Sequence, residues 1–273
     1  MVERTPLTLA PDKLVEELRS VLGDDDPKGA VMAFDGDGTL WSGDVGENLF
    51  RQAVTERFFD DAARGALLEE AARYEIPIAD PTASTTDVAD ALVAAYVAGR
   101  YPERQTCAMM TWCYAGRRLA ELRDLADRAL ANEDISSRMT RELTPIIEFA
   151  RSAGIRCVLI SASPRVVVEV AGALWGFEPH DIAAATPLVV DGRVVPGMDG
   201  PVPYAEGKPT AGRALFGSAR WLAAFGDNVF DIEMLQSAEV GVAVRPKPKL
   251  AREIPALGLR VLSTGDVQAL PLE

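Results

Sequence analysis

Short, continuous apolar runs recur along the chain, and three of them stop at a polar residue. An uninterrupted apolar run of this length predicts a strand that is buried on both faces, as in a parallel sheet. These three runs are Gly29 to Phe34 before Asp35, Ile155 to Ile160 before Ser161, and Trp221 to Phe225 before Gly226 and Asp227. Two further runs predict strands over Val240–Val244 and Leu259–Leu262.

Helical segments separate these predicted strands. Apolar positions at helical spacing predict a helix over Pro11–Leu22. Thr144 as a cap and Gly154 as a stop predict a second helix. Ser163, directly before a proline, predicts the start of a third helix that ends near Gly176. Strands that alternate with helices imply right-handed crossovers, so the predicted fold class is α/β with a doubly wound, mostly parallel sheet.

The alternation breaks between the first and second strands, where helix follows helix. The predicted helices are Glu47–Phe59, Ala62–Glu75, Val88–Ala98, Gln105–Tyr114 and Arg117–Ala131. We therefore predict an all-helical cap over residues 44–134, inserted into an α/β core made of residues 1–43 and 135–273. Within the core, Asp191-Gly192 between β-branched residues predicts a β-hairpin over residues 186–195.

Composition and charge narrow the classes of partner. The 273 residues include 28 Lys and Arg against 41 Asp and Glu, for a net charge of −13. This balance disfavours nucleic acid or an anionic membrane as the main partner, because both require a positive surface. An anionic small substrate stays possible, because a bound cation or a local lysine can reverse the field inside one pocket.

The cysteines and the N-terminal sequence indicate in which cellular compartment we expect the protein. Cys107, Cys113 and Cys157 match no zinc-binding spacing and are interpreted as reduced thiols. The N-terminus lacks a basic start followed by an apolar run, and no apolar stretch reaches roughly 18 residues. We therefore expect a cytoplasmic protein with no membrane span.

Polar residues follow three predicted strands at the edge of the sheet where open α/β folds bind ligands. The carboxylates concerned are Asp35, Asp37, Asp227 and Asp231. Carboxylates that converge at the end of apolar strands repel one another, and a divalent cation resolves that repulsion. Oxygen ligands without histidine or cysteine favour Mg²⁺. The single histidine, His180, is given no role.

Four short segments carry a family resemblance. They are Asp35-Gly36-Asp37-Gly38-Thr39, then Ser161, then Gly207-Lys208, and finally Gly226-Asp227 with Asp231. In order and in position they resemble the four motifs of the haloacid dehalogenase superfamily. The resemblance implies that Asp35 is a nucleophile that attacks phosphorus to form an aspartyl-phosphate. It implies that Asp37 protonates the leaving alkoxide and later deprotonates water.

The same resemblance implies how phosphate and metal are held. Gly36, Ser161 and Lys208 would contact the phosphoryl group. The metal ligands would be Asp35, the Asp37 backbone carbonyl and Asp227, with Asp231 as a further ligand or as a residue that orients the others. From the residues alone, Asp231 could equally cap the helix that follows it, and Ser163 is interpreted as a helix N-cap.

The position of the helical lobe resembles the branch that contains phosphoserine, phosphocholine and phosphoethanolamine phosphatases. In phosphoserine phosphatases an asparagine precedes the final aspartate of the last motif, and here that position is Phe230. Asp44 or Glu47 could meet a substrate ammonium group, and Trp41 could meet a choline group by cation–π contact. Asp44 could instead be the N-cap of a helix.

The sequence as a whole predicts a Mg²⁺-dependent phosphomonoesterase that acts on a small phosphorylated metabolite. Two alternatives stay open. One is a phosphotransferase with the same core, and the other is a catalytically weak binding protein. The choice of phosphomonoester and the oligomeric state are open as well.

Overall fold

The computed structural model describes residues 6–80 and 82–264, which form a seven-stranded parallel sheet between two layers of helices. The strands lie in the order β1-β9-β8-β7-β2-β3-β4. Their bounds are β1 Leu7–Leu9, β2 Ala30–Asp35, β3 Arg156–Pro164, β4 Ile182–Ala185, β7 Arg220–Gly226, β8 Val240–Val244 and β9 Arg260–Leu262. Every strand pair in this sheet is parallel. The predicted α/β fold class is confirmed.

Strand β2 lies between β7 and β3, and its two faces pack against different helices. Met32 and Phe34 belong to one apolar cluster, whereas Val31 and Ala33 belong to another on the opposite face. All six residues of β2 are buried. Side chains of a strand alternate between faces, so an unbroken apolar run is required here.

Five of the seven strands match the apolar runs, and two were not predicted. Strand β1 has three residues and lies at the sheet edge with two of them exposed, so it has no apolar run. Strand β4, at the other edge, consists of Ile182 and three alanines. Alanine is depleted in strands, which explains why no strand signal marks this segment.

The helices of the α/β part cover both faces of the sheet. They are α1 Pro11–Leu22, α7 Thr144–Ala153, α8 Arg165–Ala173, α9 Gly207–Phe216, α10 Ile232–Ser237 and α11 Pro248–Leu257. Two predicted caps are corrected. Thr144 is the first residue of α7 and makes no capping hydrogen bond, and Pro164, not Ser163, occupies the N-cap position of α8. Gly154 ends α7 in the left-handed conformation, as its position predicts.

Five helices fill the segment between β2 and β3, at shifted bounds. They are α2 Val45–Thr55, α3 Arg64–Arg73, α4 Thr85–Val97, α5 Glu103–Trp112 and α6 Leu119–Asn132. Helix α4 begins earlier than predicted because Ser84 and Asp87 form a capping box. The buried residues of this lobe belong to the same apolar cluster as one face of the sheet, with contacts from α2 and α6 to α8 and from α5 to β3. The division into core 1–43 and 135–273 and cap 44–134 stays a prediction.

Strands β5 Pro187–Val190 and β6 Arg193–Met198 form the antiparallel hairpin that the sequence predicts. Asp191 and Gly192 at its tip both have positive φ, 49° and 75°, which is the backbone of a type I′ turn. Among the described helices, none combines the length and apolarity that crossing a membrane requires.

Candidate active site at the carboxyl ends of the strands

Side chains from four separate segments meet at the carboxyl end of the central strands. Asp35 ends β2, Ser161 lies in β3, Lys208 lies in the first turn of α9, and Asp227 follows β7. Together with Asp231 they line a recess of about 90 Å³, which we call the inner cavity. The topology thus brings together residues from distant parts of the chain: Asp35 and Lys208, which are hydrogen-bonded, are 173 positions apart.

Asp35 is held through both of its carboxylate oxygens. Lys208 Nζ donates to Oδ1 at 2.6 Å, and Thr39 Oγ1 donates to Oδ2 at 3.0 Å. Asp35 is 5% exposed and Thr39 is fully buried, so the carboxylate has one fixed orientation. Sequence reasoning assigned no role to Thr39, although it is part of the first motif.

Lys208 bridges two carboxylates. Its Nζ also donates to Asp231 Oδ1, and Lys208 is 4% exposed. Burial opposes the charged lysine, but the Asp231 and Asp35 carboxylates outweigh it and raise the pKa of Lys208 above its ordinary value. The second oxygen of Asp231 accepts from the backbone N–H groups of Asp227 and Asn228. Asp231 therefore caps the turn that contains it rather than α10, for which it makes no side-chain cap.

Three buried carboxylates form an acidic cluster. One oxygen each from Asp35, Asp227 and Asp231 lie within 4.8 Å of one another. Burial and then the Asp231 charge raise the pKa of Asp35 well above its usual range. Burial raises the pKa of Asp227 to about 6, against the opposing effect of Lys247, whose Nζ lies 3.1 Å from Asp227 Oδ2. The three carboxylates of the cluster are buried and offer only oxygen ligands, which suits a hard divalent cation. Lys247 was not predicted from the sequence.

Asp37 is not part of this acidic cluster and makes a separate set of hydrogen bonds. Its Oδ1 accepts from Trp41 Nε1 at 2.8 Å and from the Val45 N–H at 2.7 Å, and its Oδ2 accepts from Ser163 Oγ at 2.6 Å. Burial, with a smaller contribution from the Asp44 charge, raises the pKa of Asp37 to about 6. Because Oδ1 already faces two N–H donors, a proton on Asp37 belongs on Oδ2. A carboxyl group with this pKa can both give and take a proton near neutral pH.

Two residues near Asp37 have roles that differ from the expectation. Trp41 is fully buried, so its ring has no exposed face for a choline group, and its N–H orients Asp37 instead. Ser163 is not a helix cap but donates to Asp37 from 126 positions away. No local pattern could reveal that contact, because it depends on the pairing of β2 with β3.

The turn after β2 requires glycine for steric reasons. Gly38 has φ +86°, and a Cβ there would lie 2.0 Å from Asp227 Oδ2. A Cβ on Gly36 would lie 2.9 Å from the Trp41 ring. Close packing therefore explains both glycines, and the phosphate contact of Gly36 stays a prediction.

A wider recess of about 680 Å³, the outer cavity, adjoins the inner one. Asp37, Asp44, Phe230 and Lys247 line both. Asp44 caps α2 by accepting a hydrogen bond from the Glu47 N–H at 2.8 Å. The side chains of Asp44 and Glu47 both line the outer cavity. Phe230 packs its ring against Tyr204 at 4.6 Å between centroids. Three of the four specificity candidates, Asp44, Glu47 and Phe230, thus lie at this cavity, and Trp41 does not line it.

Comparison with known proteins assigns the family. The sequence model of haloacid dehalogenase-like hydrolases matches residues 32–236, most of the chain and all four motifs. The chain belongs to the haloacid dehalogenase-like hydrolase family. The resemblance seen in the motifs is confirmed, and the family match places the chain among hydrolases. No curated protein sequence matches this haloacid dehalogenase-like chain.

Solved structures agree with this family fold. A protein of unknown function from Bordetella pertussis Tohama I is 21% identical with a TM-score of 0.67, covering 86% of this chain and 98% of its own. A probable phosphoserine phosphatase from Vibrio cholerae is 16% identical with a TM-score of 0.54, and the match covers 88% of this chain and 62% of that protein. A substrate-bound phosphoserine phosphatase is 14% identical with a TM-score of 0.50, and the match covers 86% of this chain and 93% of that protein. At these sequence identities the comparison shows a shared fold and carries no substrate over to this chain.

Proposed function

We propose that this chain is a Mg²⁺-dependent phosphomonoesterase that hydrolyses a small phosphorylated metabolite through an aspartyl-phosphate. The observation that carries the proposal is the pair of carboxyl groups on one short turn with different surroundings. Asp35 lies between Lys208 and Thr39, and Asp37 has a pKa of about 6. One group is set for attack and the other for proton transfer.

In the first step a carboxylate oxygen of Asp35 attacks phosphorus and the ester P–O bond breaks. Asp37 gives the proton on its Oδ2 to the leaving alkoxide, so an alcohol departs. Lys208 and the Ser161 hydroxyl, both in the inner cavity, stabilise the phosphoryl oxygens while charge builds on them. The enzyme then holds phosphate as a mixed anhydride on Asp35.

In the second step water attacks the phosphorus of the aspartyl-phosphate and the bond to Asp35 breaks. Asp37, now ionised, takes the proton from that water and returns to its starting state. The products are inorganic phosphate and free Asp35. Trp41, Val45 and Ser163 fix the position of Asp37 through both steps.

Mg²⁺ would be held by Asp35, Asp227 and Asp231 of the acidic cluster, with the Asp37 backbone carbonyl as a further ligand. The three carboxylates lie close enough together and offer only oxygen donors. When bound, the ion supplies positive charge that neutralises the phosphate and the carboxylates. Asp35 ends β2 and Asp227 follows the neighbouring strand β7, whereas Asp231 lies in the turn before α10.

The shape of the two cavities favours a small substrate. The proposed phosphate-binding residues Ser161 and Lys208 line the inner cavity. The wall of the outer cavity includes Asp44 and Glu47 at the start of α2, Tyr96 of α4 and Glu103 of α5. A helical lobe over a concave site excludes water and disfavours large phosphoproteins.

The test is a screen of small phosphomonoesters, with phosphate release measured in Mg²⁺ and in EDTA. The screen includes p-nitrophenyl phosphate, phosphoserine, phosphoethanolamine, phosphocholine and sugar phosphates. We expect hydrolysis of at least one compound, lost in EDTA and restored by Mg²⁺. The variant Asp35→Asn, prepared identically, should be inactive and thereby excludes a contaminating phosphatase. Activity that survives in Asp35→Asn would overturn the mechanism, and activity unaffected by EDTA would overturn the metal assignment.

A further inference from the structure

The outer cavity has two walls of opposite charge. Asp44, Glu47 and Glu103 lie on the side of the helical lobe. Lys247, Lys249 and Arg252 lie on the other side, at the start of α11. The resemblance to known phosphatases concerns the motifs up to Asp231, and these three cations follow the last motif. No part of the proposed mechanism uses Lys249 or Arg252.

The cationic wall is unusual in a protein with a net charge of −13. Lys249 and Arg252 are three positions apart on α11, which puts them on one face of the helix. Lys247 is paired with Asp227. Lys249 and Arg252 are both exposed, and within the described residues 6–80 and 82–264 neither makes an ion pair. Two positive charges without a protein partner therefore line the cavity.

The two walls are close enough to influence each other. Burial raises the pKa of Glu103, and Lys247 and Lys249 act against that rise from across the cavity. Lys247 acts on Asp44 in the same direction. A ligand in the outer cavity thus lies between a negative and a positive wall. An anionic group on that ligand is drawn to the α11 side and repelled from the lobe side.

The position of Asp37 determines which part of a substrate enters the outer cavity. The residue that protonates the leaving oxygen must contact that oxygen, and Asp37 lines both cavities. With the phosphoryl group beside Asp35 and Lys208, the organic part beyond the leaving oxygen extends from Asp37 into the outer cavity. The functional groups of the leaving alcohol are therefore those that meet Lys249 and Arg252.

We propose that Lys249 and Arg252 form a subsite for a second anionic group, a carboxylate or a phosphate, on the leaving-group side of the substrate. This inference rests on the proposed phosphomonoesterase function and specifies its substrate class. The substrate would be a phosphomonoester of a hydroxy acid or a bisphosphate. Because both side chains are exposed, each contact contributes modestly and weakens as salt is added.

The test compares compounds that differ only in the second anion. 3-Phosphoglycerate is paired with glycerol 3-phosphate, and fructose 1,6-bisphosphate with fructose 6-phosphate. Each compound competes with p-nitrophenyl phosphate hydrolysis at low ionic strength, so an inhibition constant is obtained whether or not the compound is turned over. In at least one pair we expect the compound with the second anionic group to bind about tenfold more tightly than its partner. This preference should fall as the salt concentration increases. The pair that responds tells a carboxylate from a phosphate.

Variants assign the preference to the subsite. The double variant Lys249→Gln with Arg252→Gln should lose the preference while p-nitrophenyl phosphate turnover stays within about twofold of wild type, because that substrate has no second anion. The matched control, Lys13→Gln with Arg100→Gln, removes the same charge outside the cavity lining and should keep the preference. Reversal to Lys249→Glu with Arg252→Glu should favour the compound without the second anion.

The outcomes separate the two proposals. If wild type does not hydrolyse p-nitrophenyl phosphate or any screened ester, the phosphomonoesterase function itself fails. If it does so but binds both members of each pair equally, the subsite is wrong although the function stands. A preference that survives in the double variant, or that the control variant loses equally, also overturns the subsite.

Discussion

Asp37 is the residue at which geometry and protonation are most closely linked. Its pKa of about 6 means that both ionisation states are populated near neutral pH. We expect Asp37→Asn to stall with phosphate on Asp35. p-Nitrophenolate leaves without a proton, so the first step survives, but attacking water then lacks a base, a loss typically of about 10²–10⁴-fold. Rapid quench and intact-mass measurement should reveal a burst of nitrophenolate and a phosphorylated protein.

Asp90→Asn, an exposed change on α4, is the control and should show no burst. Equal slowing of p-nitrophenyl and alkyl phosphates without any phosphoenzyme would show that Asp37 does not carry the proton.

Ser163 tunes Asp37 through one hydrogen bond. The hydroxyl donates to Oδ2 and stabilises the ionised carboxylate, which lowers the pKa of Asp37 relative to burial alone. Ser163→Ala removes that donor, so the pKa should rise above about 6. The step that needs ionised Asp37 gains rate as pH rises through this pKa, and in the variant that gain should occur at higher pH. A pH–rate profile of kcat measures the displacement.

The control for this profile is Ser152→Ala, an exposed serine on α7 whose hydroxyl donates to the Phe149 carbonyl. A profile that does not move in Ser163→Ala would mean that the hydrogen bond has no effect on proton transfer.

Lys208 links chemistry to stability. It is buried between Asp35 and Asp231, so its removal leaves two carboxylates without a counter-charge. We expect Lys208→Ala to lower the free energy of unfolding by about 3–5 kcal/mol and also to abolish turnover. Chemical denaturation quantifies the first effect. Lys247→Ala, at a half-exposed ion pair with Asp227, should cost less than about 1 kcal/mol. Equal losses in the two variants would contradict the buried bridge.

At the scale of elements, the turn from β2 to α2 depends on a glycine. Gly38 combines positive φ with a Cβ position 2.0 Å from Asp227 Oδ2. Gly38→Ala should destabilise the fold by about 1–3 kcal/mol and displace Asp227, weakening metal binding. Gly29→Ala is the control, since a Cβ there meets nothing within 4 Å. Denaturation and a Mg²⁺ titration of both variants provide the check, and indistinguishable curves would refute the steric argument.

The elements also mark what the sequence can predict. Strands β2, β3, β7, β8 and β9 are evident because burial on both faces demands an apolar run. Strands β1 and β4 lie at the edges, where that demand is relaxed. Asp35, Ser161 and Asp227 were predictable because each lies at the end of an apolar run, whereas the role of Lys208 was implied by the family resemblance. The contacts of Ser163 and Trp41 with Asp37 and of Lys247 with Asp227 were not, because they arise from tertiary packing between distant segments.

For the whole molecule, metal binding and folding should be linked. The acidic cluster forms only in the folded chain, so an ion that binds it stabilises that state. At a concentration of 100 times its Kd the ion should add about 2.7 kcal/mol to the free energy of unfolding. Thermal unfolding with and without Mg²⁺ should therefore show a higher Tm with the ion. Asp227→Asn should lose most of the shift, and an unchanged wild-type Tm would argue against the site.

The position of β2 in the middle of the sheet has a consequence for how the chain is made. Its two neighbours, β3 and β7, begin to pair with it at Arg156 and Arg220, after the whole helical lobe has been synthesised. The helices of the lobe can begin to form earlier because their backbone hydrogen bonds are local, but β2 keeps both edges unpaired until those later segments emerge. During that interval its apolar surface is open to wrong pairing. The arrangement that assembles the site from distant segments therefore leaves β2 in need of protection while the rest of the chain is synthesised.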